Sequence, residues 1–361
     1  MVHVAGSIFG RLPYNKYVFF WLPDSAESKA DGALEHANSY VVCCGGPTAL
    51  SVNNYTAHEF FHLWNVKRIR PAELWPYDYS RPIDTPSLWL SEGITDYYGL
   101  LLSYRAGFMS DTALVQRLAA LIAGNESNDE RKYVSPSDAS MSTWRAYLHE
   151  PVNYYDVGTV LGALLDVSIL QDTRGSRGLG DVMRALYEQF YERNKGFTPS
   201  DLVRTVSAVA GQDYGDFFRR YVTGVEVPHY DSIFNYAGVR LARSPTTWGI
   251  LGTLSTVVDH GRRLDTVAAG LPAAVAGLRK DDVLVAIDGV PVERVPFLNP
   301  NGCCIPISQT NALVVVTVLR GSTRLQVPLT LRRGQTTFSV EFDPGATPEQ
   351  VAVRRAWLAK R

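Results

Sequence analysis

Cysteine is scarce in this chain. Four cysteines stand among 361 residues, as two adjacent pairs, Cys43-Cys44 and Cys303-Cys304. Neighbouring cysteines rarely bridge each other, and neither pair has the C-x-x-C spacing of a zinc knuckle. They read as buried or incidental thiols. An excess of one charge is also missing: Lys+Arg 35 against Asp+Glu 36 leaves a formal charge of -1. That balance excludes the overall basic character of a nucleic-acid binder. Long hydrophobic runs are absent too, since the longest strongly apolar stretch, Ala312–Leu319, falls far short of the ~20 residues of a membrane helix. The first residues, Met1–Gly6, lack a charged start followed by an apolar core, so no signal peptide is read. The compartment, cytoplasmic or periplasmic, stays open.

What is present is an ordinary globular balance of 46% hydrophobic and 20% charged residues. At ~150 residues per domain, the length predicts two or three domains. The text is strand-like from Ile8 to about Gly46, with apolar runs at Tyr17–Leu22 and Tyr40–Cys43. From Pro47 to about Tyr236 helical periodicity dominates, as in Ala113–Ile122, Val160–Leu170 and Val182–Tyr191. From about Gly238 short β-rich runs take over. Val283–Ile287, then Asp288-Gly289, then Val290–Val292 predict a tight hairpin. Leu313–Leu319 and Leu325–Leu331 predict another, Pro272–Leu278 a short helix closed near Gly277, and Thr347–Arg361 an amphipathic terminal helix.

The chemistry sits at His58-Glu59-Phe60-Phe61-His62. Two histidines four apart share one helix face, so both imidazoles can reach one ion, with Glu59 beside them to hold a water. A third ligand is needed. Leu88–Tyr98 reads as a helix running through Glu92 and Asp96. Glu92 would complete a His2Glu site with its fourth position open. Asp96, one turn on, is placed to accept the other ring N–H of a ligating histidine, or is a plain helix-surface acid.

Thr56–Pro71 together with Leu88–Tyr98 resembles the glycyl aminopeptidase family, gluzincin metallopeptidases that carry a PDZ domain. The resemblance runs from about Leu12 to the C-terminus. It implies an α+β multidomain protein: a thermolysin-like, mainly helical zinc peptidase domain followed by a PDZ-like β domain. The segments expected are a strand-rich remnant over 1–46, the catalytic domain over 47–237, the PDZ-like domain over 238–335 and a tail over 336–361. It also implies a larger β domain ahead of Tyr17–Phe20, of which only a remnant is present.

One zinc ion and removal of N-terminal residues, with glycine or other small ones favoured, follow from the same resemblance. The segment Gly32–His36 is similar to the strand by which such enzymes bind the substrate's α-amine, which implies that role for Glu35. A fixed carboxylate suits an ammonium group entering a partly dry cleft. Asn153–Gly158 resembles the segment whose tyrosine donates to the oxyanion, which selects Tyr155. The substrates implied are peptides with a free N-terminus. The basic run Lys67, Arg68 and Arg70 is either a solvated or salt-bridged face or a binder of a substrate carboxylate.

Gly270–Gly289 looks like part of a bacterial-type PDZ domain, with Trp248–Gly252 as the candidate carboxylate loop for a peptide or protein ligand. Phe297–Ser308 holds two prolines where the groove helix is expected, so that wall is expected to be short or distorted. A PDZ-type binding protein with a vestigial metal site, and a zinc endopeptidase, stand as the alternatives.

Overall fold

The computed structural model describes residues 1–23, 32–44, 49–145, 152–297, 304–307 and 312–360. The chain divides into two compact units: Met1–Ala242 with Val340–Arg361, and Arg243–Ser339.

The first unit opens with a helix, α1 (Val2–Phe9), although Ile8 and Phe9 read as the start of a strand region. Phe9 explains its place: its ring stacks on Trp64 at 4.7 Å, burying a helix that is only two turns long. Three short strands follow, β1 (Val18–Pro23), β2 (Gly32–Glu35) and β3 (Ser39–Cys44), in the order β1-β3-β2. β3 is central, parallel to β1 and antiparallel to β2, with Glu35 opposite Tyr40. β2 is therefore an edge strand. Phe20, Trp21 and Leu22 of β1 and Leu34 of β2 remain exposed.

Helix α2 (Ala49–Phe61) carries the histidine motif. Phe60, Phe61, Leu63 and Trp64 are almost wholly buried, and Phe61 stacks on Tyr98 at 4.1 Å. The apolar faces of the motif thus fix the helix, and His58 and His62 point away from them. A π-helical turn (Trp89–Ile94) runs into α3 (Thr95–Arg105), which packs on α2 with Gly99 against His58. The helices α4 (Asp111–Ser127), α5 (Pro136–Met141), α6 (Tyr154–Asp172), α7 (Leu179–Gln189), α8 (Pro199–Ala210), α9 (Gly215–Tyr221) and α10 (Tyr230–Asn235) complete the succession. Capping marks several starts: Asn153 caps α6 through Tyr155 N and Asp156 N, and Thr198 and Asp201 form a capping box on α8.

The second unit holds most of β4 (Val239–Ile250), then β5 (Thr253–Val258), β6 (Gly261–Val267), α11 (Pro272–Val275), β7 (Val283–Ile287), β8 (Val290–Pro291), β9 (Cys304–Ile307), β10 (Leu313–Arg320) and β11 (Thr323–Thr330). Both sequence-predicted hairpins are present. Asp288 and Gly289 turn with φ of 48° and 75°, as a two-residue hairpin loop requires, and Gly321-Ser322 joins β10 to β11. Leu264, Leu284, Val316, Val318 and Leu331 form the unit's core. β9 pairs antiparallel with β4, Ile250 opposite Cys304 and Trp248 opposite Pro306. Pro306 thus stands in a strand and not in a groove helix; Pro300, with the rest of 298–303 and 308, lies outside the described residues.

The last strand, β12 (Arg332–Phe342), leads to α12 (Pro348–Trp357). The terminal helix lies within the stretch read as amphipathic, and its residues form part of the first unit. Trp357 is fully buried there, and its Nε1 donates to Tyr97 Oη at 2.9 Å. Tyr97 in turn donates to Asp166 Oδ2 at 2.5 Å. Among the described residues, no helix is long and apolar enough to cross a membrane. Cys43 stands as a free thiol.

Candidate metal centre

His58 and His62 come from successive turns of α2 and its C-terminal extension, so their rings meet edge to face on one side of the helix, with centroids 4.5 Å apart. Each ring is held by its Nδ1. His58 Nδ1 lies 2.6 Å from Asp96 Oδ1, and His62 Nδ1 lies 2.6 Å from the Asn65 carbonyl. Both partners are acceptors, so each Nδ1 carries a proton, and each Nε2 faces the centre, where it can ligate an ion in the neutral ring. The two Nε2 atoms are 2.9 Å apart.

Glu92 meets them there, with Oε2 3.5 Å from His58 Nε2 and 3.3 Å from His62 Nε2. It sits on the π-helical turn, whose wide i→i+5 spacing is a frequent device at functional sites. Asn65 clamps that turn to the histidine segment. Its buried Nδ2 donates to the Leu90 carbonyl at 2.9 Å and to Thr95 Oγ1 at 3.0 Å. One residue thus holds both His62 and the Glu92 turn in register.

α6 reaches the centre through two glycines. A Cβ built on Gly158 would overlap the Trp89 carbonyl oxygen and come within 2.8 Å of Gly93 Cα. Bare backbone on both sides lets α6 press against the π-helical turn. The Asn153 cap starts the helix one turn earlier, which brings Tyr155 to the centre. Its ring stacks near that of His58, with centroids 6.2 Å apart. Burial, and then the Glu92 charge, push the Tyr155 phenol well above its ordinary pKa, so it stays a donor at neutral pH.

The charges at the centre are coupled. Burial raises the Glu92 carboxyl, but the two histidines outweigh it and hold it below its ordinary value. Burial opposes charge on His58 and His62, yet Asp96 and Glu92 lift the first and chiefly Glu92 lifts the second. Ligand atoms of His58, His62 and Glu92 all lie within 4.8 Å of one another. Two imidazole nitrogens and a carboxylate oxygen suit zinc, and the arrangement leaves a position open. Glu59 stands beside them, 5% exposed, with Oε2 buried and unpartnered among the described residues. Burial raises its carboxyl to about 7, with His62 and His58 pulling it down. A cavity of about 450 Å³ opens onto His58, Glu59, Asp96 and Tyr155, and reaches Ala33 on β2 and Arg117 on α4.

Glu35 closes the other side. Its carboxylate, Glu59 and His62 also have ligand atoms within 4.8 Å of one another. Lys67 Nζ lies 2.9 Å from Glu35 Oε1. The remaining basic run is a network: Arg68 donates to the carbonyls of Leu63 and Pro13, and Arg70 packs over the rings of Trp75 and Tyr77. Sequence reasoning singled out neither Asn65 nor the Gly93–Gly158 contact, and left Lys67 without an assigned partner. A signal for Asn65 was there: an amide directly after the apolar Leu63-Trp64 pair has to find partners once buried.

Residues 51–161 match the M61 glycyl aminopeptidase family. The M61 match spans His58, Glu59, His62, Glu92, Asp96 and Tyr155, and Glu35 lies ahead of it. A solved aminopeptidase N family protein from Idiomarina loihiensis is similar at a TM-score of 0.76 and 19% identity, covering 99% of this chain and 65% of that one. At that identity the likeness shows the fold; this chain spans less than two thirds of its length. A solved HtrA-type protease, AlgW with a decapeptide, covers 24% of this chain at a TM-score of 0.21, too low to bear an argument. No curated protein matches the chain.

Proposed function

We propose that the chain is a zinc-dependent aminopeptidase that removes N-terminal residues, glycine or other small ones favoured, from peptides. The M61 match and the aminopeptidase-like fold support a peptidase. The observation that carries the finer reading is the convergence of His58 Nε2, His62 Nε2 and Glu92 Oε2 beside an unpartnered Glu59 oxygen. His58, His62 and Glu92 would hold the ion. When bound, zinc supplies Lewis-acid polarisation of the scissile carbonyl and acidifies water.

The chain's own residues do the rest. Glu59 accepts the proton of the attacking water and passes it to the leaving nitrogen, a task suited to a carboxyl raised toward neutrality. Tyr155, protonated at neutral pH, donates to the oxyanion. Glu35 receives the substrate's α-ammonium and so fixes where the chain must begin. Asp96 keeps the His58 ring oriented. Arg243–Ser339 is read as a PDZ-like unit, but β9 already occupies the stretch of β4 around the proposed carboxylate loop. That pairing favours a structural role over peptide capture by strand addition.

The test is metal analysis of the purified chain together with cleavage of glycyl-p-nitroanilide and its N-acetylated form. One zinc per chain and cleavage of the free-amine substrate alone are expected. Equal cleavage of the acetylated form points to an endopeptidase and rejects the amine assignment.

A further inference from the structure

The ion pair between Glu35 and Lys67 is partly buried, the side chains being 17% and 13% exposed. Two local devices bring them together. Glu35 ends the edge strand β2, held opposite Tyr40 of β3. Lys67 leaves the turn that closes the histidine helix, where its backbone N–H donates to the His62 carbonyl at 3.1 Å. Its ammonium also lies 5.2 Å from the centroid of the Tyr77 ring, and Tyr77 is itself tied down by its hydroxyl on the Val66 carbonyl at 2.8 Å.

Glu35 stands close to Glu59 and to His62, with Glu92 on the far side of the same centre. Three carboxylates in one partly dry cleft repel one another, and a glutamate on an edge strand has three torsions by which to swing out. Lys67 opposes both tendencies. Its ammonium stands at Oε1, 2.9 Å away, and a carboxylate has lone pairs for about four partners, so Glu35 keeps acceptor capacity for a second cation.

Nor does the lysine have a vacant place to withdraw to. Arg70 already packs on the Tyr77 ring with its guanidinium carbon 4.2 Å from the centroid, so retreat along that ring would bring two cations together.

We propose that Lys67 is a positioning residue for substrate recognition: it anchors one oxygen of Glu35 so that the other is presented to the α-ammonium of the incoming peptide. The inference rests on Glu35 being the amine-binding carboxylate. It makes amine recognition a three-body arrangement, in which a resident ammonium and the substrate's ammonium share one carboxylate.

The experiment measures the Kd of glycinamide by calorimetry, with N-acetylglycinamide as the uncharged control, on the native chain and on Lys67→Met, Lys67→Arg and Glu35→Gln. Metal content and melting temperature are recorded for each variant, and KM and kcat for glycyl-p-nitroanilide. Lys67→Met is expected to weaken glycinamide binding on the order of tenfold, the size of one charge-assisted hydrogen bond, and to raise KM more than it lowers kcat. Lys67→Arg should recover part of the loss. N-acetylglycinamide binding should not respond.

Tighter glycinamide binding by Lys67→Met overturns the inference, because it makes the lysine a competitor of the substrate. An unchanged Kd in Lys67→Met with a raised Kd in Glu35→Gln also overturns it, while leaving the amine assignment standing. An unchanged Kd in Glu35→Gln removes the amine assignment and this inference together.

Discussion

His58 Nδ1 and Asp96 Oδ1 lie 2.6 Å apart, joining the histidine helix to the helix that follows Glu92. The contact sets the His58 tautomer from outside the centre, and Glu92 completes the centre one turn earlier in the same helical run. Asp96→Ala is therefore expected to weaken zinc affinity roughly 10–100-fold without abolishing the site. Competition with a chromophoric chelator measures this, and Asp96→Asn should lie between alanine and the native residue. Unchanged affinity in both variants would show that Asp96 is only a cleft-wall acid.

Glu59 and His62 should separate cleanly. Glu59→Gln keeps the three converging ligands and removes only the proton acceptor, so stoichiometric zinc with a loss of roughly 10²–10⁴ in kcat is expected. His62→Ala should lose both metal and hydrolysis. Metal analysis beside turnover decides it. Near-native turnover from purified Glu59→Gln would defeat the assigned proton path.

At Gly158 a methyl group would collide with the Trp89 carbonyl oxygen, and nothing at that contact is a flexible side-chain end. Gly158→Ala should cost about 1–3 kcal/mol or more in stability and displace Tyr155 from Glu92. Val157→Ala, which opens space on the same turn, is the control. Chemical denaturation gives the cost, and kcat for a glycyl anilide reports the displacement.

Tyr97 stands in the middle of a relay from Trp357 Nε1 to Asp166 Oδ2. Tyr97→Phe leaves a buried donor and a buried acceptor short of a partner, an expected loss of about 2–4 kcal/mol. The loss should depend on pH. Burial already raises the Asp166 carboxyl above its ordinary value, and the Tyr97 hydroxyl pulls it down. Removing that donor raises the folded-state pKa further, and a carboxyl raised in the folded state destabilises the fold increasingly as pH rises through the window between its unfolded and folded values. The penalty should thus be smaller at about pH 5 than at about pH 8. Urea denaturation at both values tests the sign.

The apolar strand β1 makes one more expectation concrete. Phe20 and Leu22 are about half exposed, on a strand at the edge of its sheet. Such a surface favours self-association. Phe20→Lys with Leu22→Lys should lower the apparent mass seen by light scattering at micromolar concentration, with zinc content unchanged. If the native chain is already monodisperse, the strand is not a sticky edge.

Much of the candidate metal centre was legible because helical spacing is a local code. His58 and His62 declare one face by being four apart, and Glu92 and Asp96 do the same in the second helix. The Asp288-Gly289 hairpin was equally open, since its positive φ values demand those residue types. What could not be read was contact between distant segments. Glu35 and Lys67 are each ordinary charges until the turn after α2 brings them to 2.9 Å. The π-helical turn leaves no compositional mark, and Gly93 resembles any helix glycine until Gly158 is laid against it. The return of α12 rests on one tryptophan finding a buried phenol, a pairing that no periodicity announces.

The Gly93–Gly158 crossing also decides which wall of the cleft can yield. With no rotamer between the two backbones, the spacing from Glu92 to Tyr155 is as stiff as two helices pressed together, and side-chain repacking has nothing there to adjust. On the proposed function, the compliance needed to admit a peptide falls to the opposite wall, where Ala33 and Glu35 ride on a four-residue strand that, among the described residues, is bonded on one side only. Under that proposal, substrates of different girth would be accommodated by strand displacement, while the side that carries Glu92 and Tyr155 keeps its dimensions.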